Sequence, residues 1–534
     1  MSLHLAPVTA SGRALHRFAA THPRLSTDSL RPYLGILGVL LGSVMGTLGS
    51  RTTTFGLADL RGGLHAGFDE GAWITTSFGI GQMLVGVASP YLGAVLGVRR
   101  VLAFGIFLFF TASLLGPFSP NLAAYLVTQF LGGVGSGTFI PLTIGFIVRS
   151  LPARLVVYGL AVYAMNSELS QNVAASLEGW YSENWSWGWV DWQYCCALPV
   201  MWVCIRFGMP REDIRIGALH DLDWPGLAYS AIGFGLLYAG LDQGNRLDWT
   251  RSGVIDGLLL AGGVVTLAFI LRELITPKPF LNLRVLFRSR FLPLFLLLSG
   301  FRFIILSTAY IIPTYLQTVQ NFRELQVGAV LLWIALPQLL IVVPLGALLK
   351  FADARWILGA GATAIGVACW MATQLTSQWA TGDFLPSQIL QAIGQSFALS
   401  ALVVLIVRSM NAADALTLGA LLQVSRLFGG EIGTAFMQTY VRMREQVHSN
   451  LIGLHVDGQS SMTIDRLAAY RAALGVHTSD AAAAGAQAAR LLATTVGQQA
   501  AVLSFIDGFA AAGIGAFLCM VLVAITPPSP KTEI

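Results

Sequence analysis

Charged residues are scarce in this chain. Aspartate, glutamate, lysine and arginine make up 11% of its 534 residues, whereas a typical soluble domain carries about 25%. Apolar residues reach 55%, and the mean hydropathy is +0.68. So few charges cannot cover several soluble globules with polar surface, but they suffice where helices face lipid, because lipid is itself apolar. The composition therefore indicates an integral membrane protein.

Cysteine, histidine and enzyme motifs are also rare or absent. The five cysteines and eight histidines show no C-x-x-C or Cys/His spacing, so we predict neither a disulfide framework nor a metal site. We interpret the cysteines as buried, reduced, small hydrophobic residues. The sequence has no G-x-x-x-x-G-K-[ST] loop, which argues against an ATP-driven pump, and no G-x-S-x-G nucleophile elbow. We predict no enzymatic activity and no cofactor.

Long apolar runs dominate the sequence instead. A membrane-spanning helix needs about 20 mostly apolar residues, and we predict an all-α membrane fold with fourteen spans. Their approximate bounds are 33–55, 73–95, 100–118, 122–147, 155–178, 189–207, 222–241, 253–273, 291–318, 325–348, 355–375, 385–408, 413–440 and 504–526. The predicted organisation is a cytoplasmic tail (1–32), a six-helix bundle (33–207), two extra helices with their linkers (208–290), a second six-helix bundle (291–526) and a cytoplasmic tail (527–534).

The positions of the basic residues predict the orientation. Most of the 32 lysines and arginines fall in alternate gaps between the predicted spans, and short cytoplasmic loops carry an excess of positive charge. We therefore predict that both termini face the cytoplasm at a bacterial inner membrane. The same scatter differs from the one-sided basic patch of a nucleic-acid-binding protein, so we predict no nucleic-acid partner.

One connection is much longer than the others. Residues 441–503 separate the last two predicted spans on the outer side of the membrane, and they contain amphipathic stretches at 463–474 and 481–493 that are rich in alanine. Two interpretations remain open. The segment is either a solvated helical hairpin or a docking surface for a periplasmic partner.

Several short stretches match a known family. They are 69–79 (DEGAWITTSFG), 135–142 (GSGTFIPL), 178–189 (EGWYSENWSWGW), the linker stretches 222–226 (LDWPG), 241–244 (LDQG) and 247–249 (LDW), and 425–433 (SRLFGGEIG). In this order and spacing the chain resembles the fourteen-span drug:proton antiporters of the major facilitator superfamily, in particular the EmrB-like exporters. The resemblance implies two six-helix bundles that rock around a central cavity. It also implies a small-molecule substrate, proton antiport and often a periplasmic adaptor with an outer-membrane channel.

The residues that usually couple transport to protons in that family are missing. Gly49 occupies the position of the acid in the family's first span, and 129–133 (QFLGG) lacks the usual arginine of the fourth span. The cytoplasmic loop motif is degenerate at 93–100 (GAVLGVRR), and 168–178 (ELSQNVAASLE) replaces the Gly-Pro-rich motif of the fifth span. The family's proton-coupling roles therefore do not transfer to these positions.

Ionisable residues inside the predicted spans are functional candidates, because each is costly at bilayer depth. Five qualify: Arg51, Glu168, Arg302, Arg426 and Glu431. We predict Glu168 as the leading proton carrier and Glu431 as the second, with a purely structural ion pair as the alternative. Three arginines against two carboxylates leave a surplus of positive charge, which favours an anionic substrate such as an aromatic acid over a lipophilic cation.

Uncharged polar residues complete the predicted substrate site. The candidates are Gln129, Asn166, Gln171, Gln338 and Gln395, although such side chains also serve as hydrogen-bonded contacts between helices. The predicted function is export of amphipathic organic compounds, drugs or aromatic acids, in exchange for protons. The alternatives are a proton-independent or import-type facilitator and a non-transporting membrane receptor or scaffold.

Overall fold

The computed structural model describes most of the chain. The described residues are 30–215, 217, 223–277, 279, 281–286, 291–409, 415–475 and 480–526. Within these ranges the structure is helical and contains no strand, which confirms the predicted all-α class. Most of the predicted N-terminal tail, the tail 527–534 and parts of the linkers within 208–290 lie outside the described residues.

The helices are numbered here in chain order. They are α1 (Arg31–Phe55), α2 (Leu57–Gly63), α3 (Phe68–Gly71), α4 (Trp73–Leu96), α5 (Val98–Leu115), α6 (Leu122–Gly137), α7 (Phe139–Ser150), α8 (Ala153–Asn184), α9 (Trp189–Gly208), α10 (Trp224–Gly244), α11 (Gly253–Ile275), α12 (Phe291–Ile304), α13 (Ile312–Thr318), α14 (Glu324–Phe351), α15 (Ala354–Ala372), α16 (Leu385–Ser409), α17 (Ala415–Gly453), α18 (Ser461–Gly475) and α19 (Ala481–Ile525).

Ten helical segments among the described residues are long and apolar enough to cross a membrane. They coincide with ten of the predicted spans. The other four predicted positions hold α8, α9, α10 and α17, which contain 32, 20, 21 and 39 residues. Each of these helices is at least about 30 Å long at 1.5 Å per residue. The structure is therefore consistent with fourteen spans, and that number stays a prediction.

Local sequence signals explain where some of the helices begin. The side chain of Asn121 accepts a hydrogen bond from Ala124 N at 2.9 Å before α6, and Asp223 accepts one from Gly226 N at 3.1 Å before α10. Such caps satisfy amide groups that the first helical turn leaves free. Gly97 joins α4 to α5 with a φ of +90°, a conformation that glycine adopts without steric cost.

The two predicted bundles meet along α8 and α14. A Cβ atom on Gly328 of α14 would lie 2.5 Å from Ser176 N, and a Cβ atom on Gly179 of α8 would lie 2.7 Å from Leu325 Cα. These distances leave no room for a side chain, and small residues of this kind let the backbones of two helices approach closely. We call this contact the α8–α14 seam.

The extra helix α10 contacts both predicted bundles. It packs against α4 of the first bundle, α17 of the second, and α11. The rings of Phe234 in α10 and Phe428 in α17 lie 6.1 Å apart. Beyond the end of α10, Trp249 Nε1 donates a hydrogen bond to Thr439 Oγ1 at 2.9 Å. The extra helix α10 and the segment that follows it therefore contact α17 at two separate positions.

The helices α17 and α19 are longer than a bilayer is thick. Their 39 and 45 residues correspond to about 58 and 67 Å, against a hydrocarbon core of about 30 Å. Arg444 Nε donates to Asp507 Oδ2 at 2.6 Å and joins the two helices, and α18 packs against α19. The described part of 441–503 is thus mostly helical, because its alanine-rich sequence has high helix propensity.

The cysteines are less uniformly buried than predicted. Three of the five are buried, Cys195 is half-buried and Cys196 is exposed, so the prediction was wrong for Cys196. This residue shares an exposed face of α9 with Val200 and Val203, which follow it by about one and two helical turns. An apolar run in a membrane helix includes residues on its outer face as well as its inner face.

Candidate functional site

Glu168 lies in the middle of α8, where only 2% of its side chain is exposed. Arg302 of α12 comes from the other predicted bundle, and its Nη1 atom lies 3.9 Å from Glu168 Oε1. That separation is too long for a hydrogen bond, and Oε1 has no hydrogen-bond partner among the described residues. A buried carboxylate with an unused oxygen is costly, so Glu168 is suited to bind a proton or a donor group of a ligand.

Two further arginines, Arg51 of α1 and Arg426 of α17, also act electrostatically on Glu168. Arg51 Nη2 donates to the carbonyl of Ala309 at 2.9 Å, while Nε of Arg51 and Nε of Arg302 have no hydrogen-bond partner among the described residues. Each guanidinium carries five N–H donors, so this site retains unused donors. We call Glu168 and its three arginines the Glu168 cluster, which has a surplus of positive charge.

A network of amide side chains continues from the Glu168 cluster into the second bundle. Asn172, one turn after Glu168, donates to Gln395 Oε1 at 3.2 Å. Gln395 Nε2 donates to Thr308 Oγ1 at 2.9 Å, and Gln338 Nε2 donates to Gln395 Oε1 at 3.4 Å. The structure thus brings the predicted residues Gln338 and Gln395 together, and these contacts connect α8 with α14 and α16.

Gln171 is another predicted residue near Glu168 on α8. Its side chain is buried, and its Nε2 atom has no hydrogen-bond partner among the described residues. An unpaired buried amide donor costs free energy comparable to a lost hydrogen bond. Gln171 therefore offers a second unused polar group on the helix that carries Glu168.

A short π-helical segment, Ser307–Ile311, lies between α12 and α13. Its Ala309 carbonyl accepts the hydrogen bond from Arg51, and its Ser307 hydroxyl accepts one from Gln391 Nε2 at 3.1 Å. π-helical turns are frequent at functional sites because they redirect backbone and side-chain groups. Here the irregular turn presents its polar groups to the Glu168 cluster and to the amide network.

Glu431, the second predicted proton carrier, lies outside the Glu168 cluster. Its side chain is buried and interacts with Tyr238 and Asp242 of the extra helix α10, and its Oε1 atom has no hydrogen-bond partner among the described residues. Asp242 in turn accepts hydrogen bonds from Thr76 of α4 and from the neighbouring Gln243. The two predicted proton carriers therefore have separate surroundings, and the role of Glu431 stays a prediction.

Gln129 and Asn166 make hydrogen bonds within the first bundle. Gln129 Nε2 donates to Asp191 Oδ1 at 3.1 Å, and the same carboxylate accepts from Tyr125 at 2.8 Å. Asn166 Nδ2 donates to the carbonyl of Leu40 at 2.8 Å. These contacts account for both amide groups without a substrate, and a substrate role for them stays a prediction.

Three polar residues of these clusters were missed by sequence reasoning. Asn172 had a usable signal, because a residue four positions after Glu168 lies on the same face of a helix. Asp191 lies near the start of a predicted span, and nothing else in the sequence marked it as a functional residue. Asp242 was assigned to the stretch 241–249 between two predicted spans, whereas α10 continues to Gly244.

These features define the class of protein. Long apolar helices surround a buried polar cluster that lies between two bundles, an arrangement typical of multi-pass membrane transporters for small molecules. Among the described residues, no group of three or more His, Cys, Asp or Glu side chains could hold a metal ion. The chain is a transporter and not an enzyme, because its sequence matches a family of membrane transporters.

The chain belongs to the Major Facilitator Superfamily, because residues 39–434, well over half of its length, match that family. Among its relatives is the fatty acid resistance protein FarB of Neisseria gonorrhoeae, which is 24% identical over 471 residues, or 87% of this chain and 90% of FarB. The multidrug export protein EmrB of Haemophilus influenzae is 24% identical over 424 residues, or 79% of this chain and 82% of EmrB. The resemblance to EmrB-like exporters is thereby confirmed.

Solved structures share the fold at lower identity. The peptide transporter POT, determined in complex with sulfate, is similar with a TM-score of 0.56 at 13% identity, covering 96% of this chain and 98% of that one. The xylose transporter XylE from E. coli, in a partially occluded inward-open conformation, gives a TM-score of 0.54 at 12% identity, covering 94% and 100%. These similarities support the major facilitator fold.

Proposed function

We propose that this transporter exports amphipathic organic compounds, drugs or aromatic acids, in exchange for protons, with Glu168 as the proton carrier. The observation that carries the proposal is the position of Glu168 between the two bundles, 3.9 Å from Arg302 and with a free carboxylate oxygen. Ionisable groups at this depth commonly belong to ion pathways or proton relays. The names of two relatives, a fatty acid resistance protein and a multidrug export protein, support export of amphipathic compounds.

Exchange follows when proton and substrate compete for the same carboxylate. Ionised Glu168 accepts a hydrogen bond from a hydroxyl or amide group of the substrate. Protonation removes the negative charge and uses one of the acceptor positions, so it weakens that contact. Two ligands that weaken each other's binding are negatively coupled, and a carrier that changes its orientation with either one bound exchanges them across the membrane.

The three arginines select the substrate's polar head group. Guanidinium groups bind carboxylates through paired hydrogen bonds, and Arg51 and Arg302 each have a free Nε donor. The surplus positive charge of the Glu168 cluster disfavours lipophilic cations. A substrate fits best when a hydroxyl or amide group donates to Glu168 while one of its oxygen atoms accepts from an arginine.

The charge of the bound acid decides the direction of coupling. A fully ionised acid would bind more tightly when Glu168 is protonated, because loss of the carboxylate charge raises the positive potential of the cluster. Proton and anion would then move in the same direction. Exchange through Glu168 therefore requires a substrate that donates a hydrogen bond, and the sign of the proton flux tests this requirement.

We also propose that the protein lies in a bacterial inner membrane with both termini in the cytoplasm, and that a periplasmic adaptor with an outer-membrane channel binds the outer extension of α17 and α19. Exposed apolar side chains recur on α17 at Met443, Val447 and Leu451. Their spacing of four residues places them on one face of the helix. Such an apolar stripe beyond the bilayer is typical of a protein-binding surface.

The test is substrate-driven proton movement in proteoliposomes, measured for the wild type, Glu168→Gln and the control Glu445→Gln on the outer extension of α17. The panel contains aromatic acids, their neutral amides and lipophilic cations. We expect proton flux opposite to the flux of the neutral amides in the wild type and the control, and loss of this flux in Glu168→Gln. Substrate movement without proton flux that is unchanged in Glu168→Gln would identify a facilitator, with Glu168 as a structural residue.

A further inference from the structure

Three acidic residues meet at the outer end of the α8–α14 seam. Glu178 lies near the end of α8 and is fully buried. Glu324 begins α14, and its backbone lies against the end of α8, since a Cβ atom on Gly179 would lie 2.9 Å from Glu324 C. The carboxyl groups of Asp59 on α2 and of Glu324 act electrostatically on Glu178 and on each other. We call these three residues the outer acid cluster. It combines two carboxyl groups of the first bundle with one of the second.

Glu178 is enclosed by closely packed neighbours. Ser182 Oγ donates to its Oε1 atom at 2.8 Å, and a Cβ atom on Gly56 would lie 3.0 Å from the same oxygen. The Oε2 atom is buried and has no hydrogen-bond partner among the described residues. In the described part of the chain, no arginine, lysine or histidine forms an ion pair with Glu178. The carboxyl group thus has an unused oxygen and no counter-charge.

Charged groups at the edge of the cluster do not change this balance. Arg323, next to Glu324, attracts that carboxylate, whereas Glu183 near the end of α8 repels it. One cation and one further anion face Glu324 from the two sides of the seam. The outer acid cluster therefore has more acidic than basic groups.

Such a cluster cannot be fully ionised while the seam is closed. A buried carboxylate without a counter-charge is strongly disfavoured, and like charges in contact disfavour each other further. A bound proton removes one of the charges and supplies the hydrogen-bond donor that Glu178 Oε2 lacks. When that proton leaves, negative charges on α2 and α8 face the negative charge on α14, and repulsion separates the two bundles at this end.

We propose that Glu178, which faces Asp59 and Glu324, binds a proton that holds the outer end of the α8–α14 seam closed. Release of this proton into the periplasm opens the seam. The site lies at the outer end of α8, ten residues beyond Glu168, and it uses none of the arginines of the Glu168 cluster. The site rests on the proposed orientation of the chain in the membrane but not on Glu168 as the proton carrier.

Distance measurements on the full chain test this site. Spin labels are attached to cysteines that replace the exposed residues Asn184 at the end of α8 and Thr318 at the end of α13, in a chain whose five native cysteines are alanine. We expect the distance between the labels to lengthen as pH rises, because the cluster loses its proton. Glu178→Gln keeps the Ser182 contact and cannot ionise, so its distance should stay short at all pH values.

The exposed acid Glu70 on α3 provides the control. In Glu70→Gln, the distance between the spin labels should lengthen with rising pH as it does in the parent chain. Glu324 is half-buried, so we expect Glu324→Gln to fold normally. This variant should reduce the fraction of long distances between the spin labels at alkaline pH. A parent chain with no pH response, or a Glu178→Gln chain that responds like the parent, overturns the proposal. The experiment contains no substrate, so failure of proton exchange in transport assays would leave its outcome unaffected.

Discussion

Asn172 of α8 donates a hydrogen bond to Gln395 of α16 at 3.2 Å, and this contact joins the two bundles one turn away from Glu168. Gln395 also donates to Thr308 in the π-helical segment. When the two bundles move relative to each other, the Asn172–Gln395 hydrogen bond either breaks or stays intact. The contact is thus a structural connection between the Glu168 cluster and the relative position of the two bundles.

Removal of this contact should change transport more than stability. Asn172→Ala deletes a buried hydrogen bond worth about 1 kcal/mol, which corresponds to roughly a fivefold change in the balance between two bundle arrangements. We expect the rate of substrate uptake into inverted vesicles to change by a similar factor. The control is Thr143→Val, which removes a buried bond to the Val39 carbonyl within the first bundle. If both variants alter uptake equally, the special role of Asn172 is refuted.

Arg302 should determine the preference for acids. Arg302→Gln removes the guanidinium nearest to Glu168, and charged hydrogen bonds are worth about 1.5–3 kcal/mol, so we expect acids to bind about tenfold more weakly or worse. Arg302→Lys should give an intermediate loss, since an ammonium group cannot form paired hydrogen bonds. The measurement is competition binding with an aromatic acid and its neutral amide. An equal loss for the amide would show that Arg302 only maintains the shape of the site.

The fold was largely predictable because a bilayer imposes one requirement on every span. Backbone groups in lipid have to bond within their own helix, so length and composition alone located the helices. The end of α17 was placed too early and the start of α19 too late, since an alanine-rich helix continues beyond the bilayer without a change in local sequence. The end of α10 was also placed too early, at residue 241 instead of Gly244. Asp242 was therefore left out of the candidate residues.

The site was predictable only in part. Glu168, Arg51 and Arg302 were recognised because charge is rare at bilayer depth. Their arrangement was not, because the sequence does not give the rotation of one helix against another. For that reason the sequence analysis counted three arginines and two carboxylates as one group. In the structure Arg426 acts on Glu168, whereas Glu431 lies apart, beside Tyr238 of α10.

Close approach at the α8–α14 seam should be sensitive to one methyl group. Gly328→Ala places a Cβ atom 2.5 Å from Ser176 N, which forces the helices apart, and overpacking typically costs about 1–3 kcal/mol. We expect a lower thermal unfolding temperature in detergent. Gly263→Ala on α11 is the control, because a Cβ atom there has no neighbour within 4 Å and alanine favours the helix. A Gly328→Ala protein as stable as the Gly263→Ala protein would contradict the described seam.

The apolar stripe on α17 should be needed in cells but not in vesicles. Val447→Glu places a charge in the stripe formed with Met443 and Leu451, and a buried unpaired charge at an interface costs enough to weaken binding about tenfold or more. We expect cells that produce this variant to lose protection against the exported compound, while uptake into inverted vesicles stays at the wild-type rate. The neighbouring Gln446 is exposed and points about 100° away around the helix, so Gln446→Glu adds the same charge outside the stripe and should protect cells normally. Full protection by Val447→Glu would mean that no partner covers the stripe, and slow uptake into vesicles would mean that the outer extension serves transport itself.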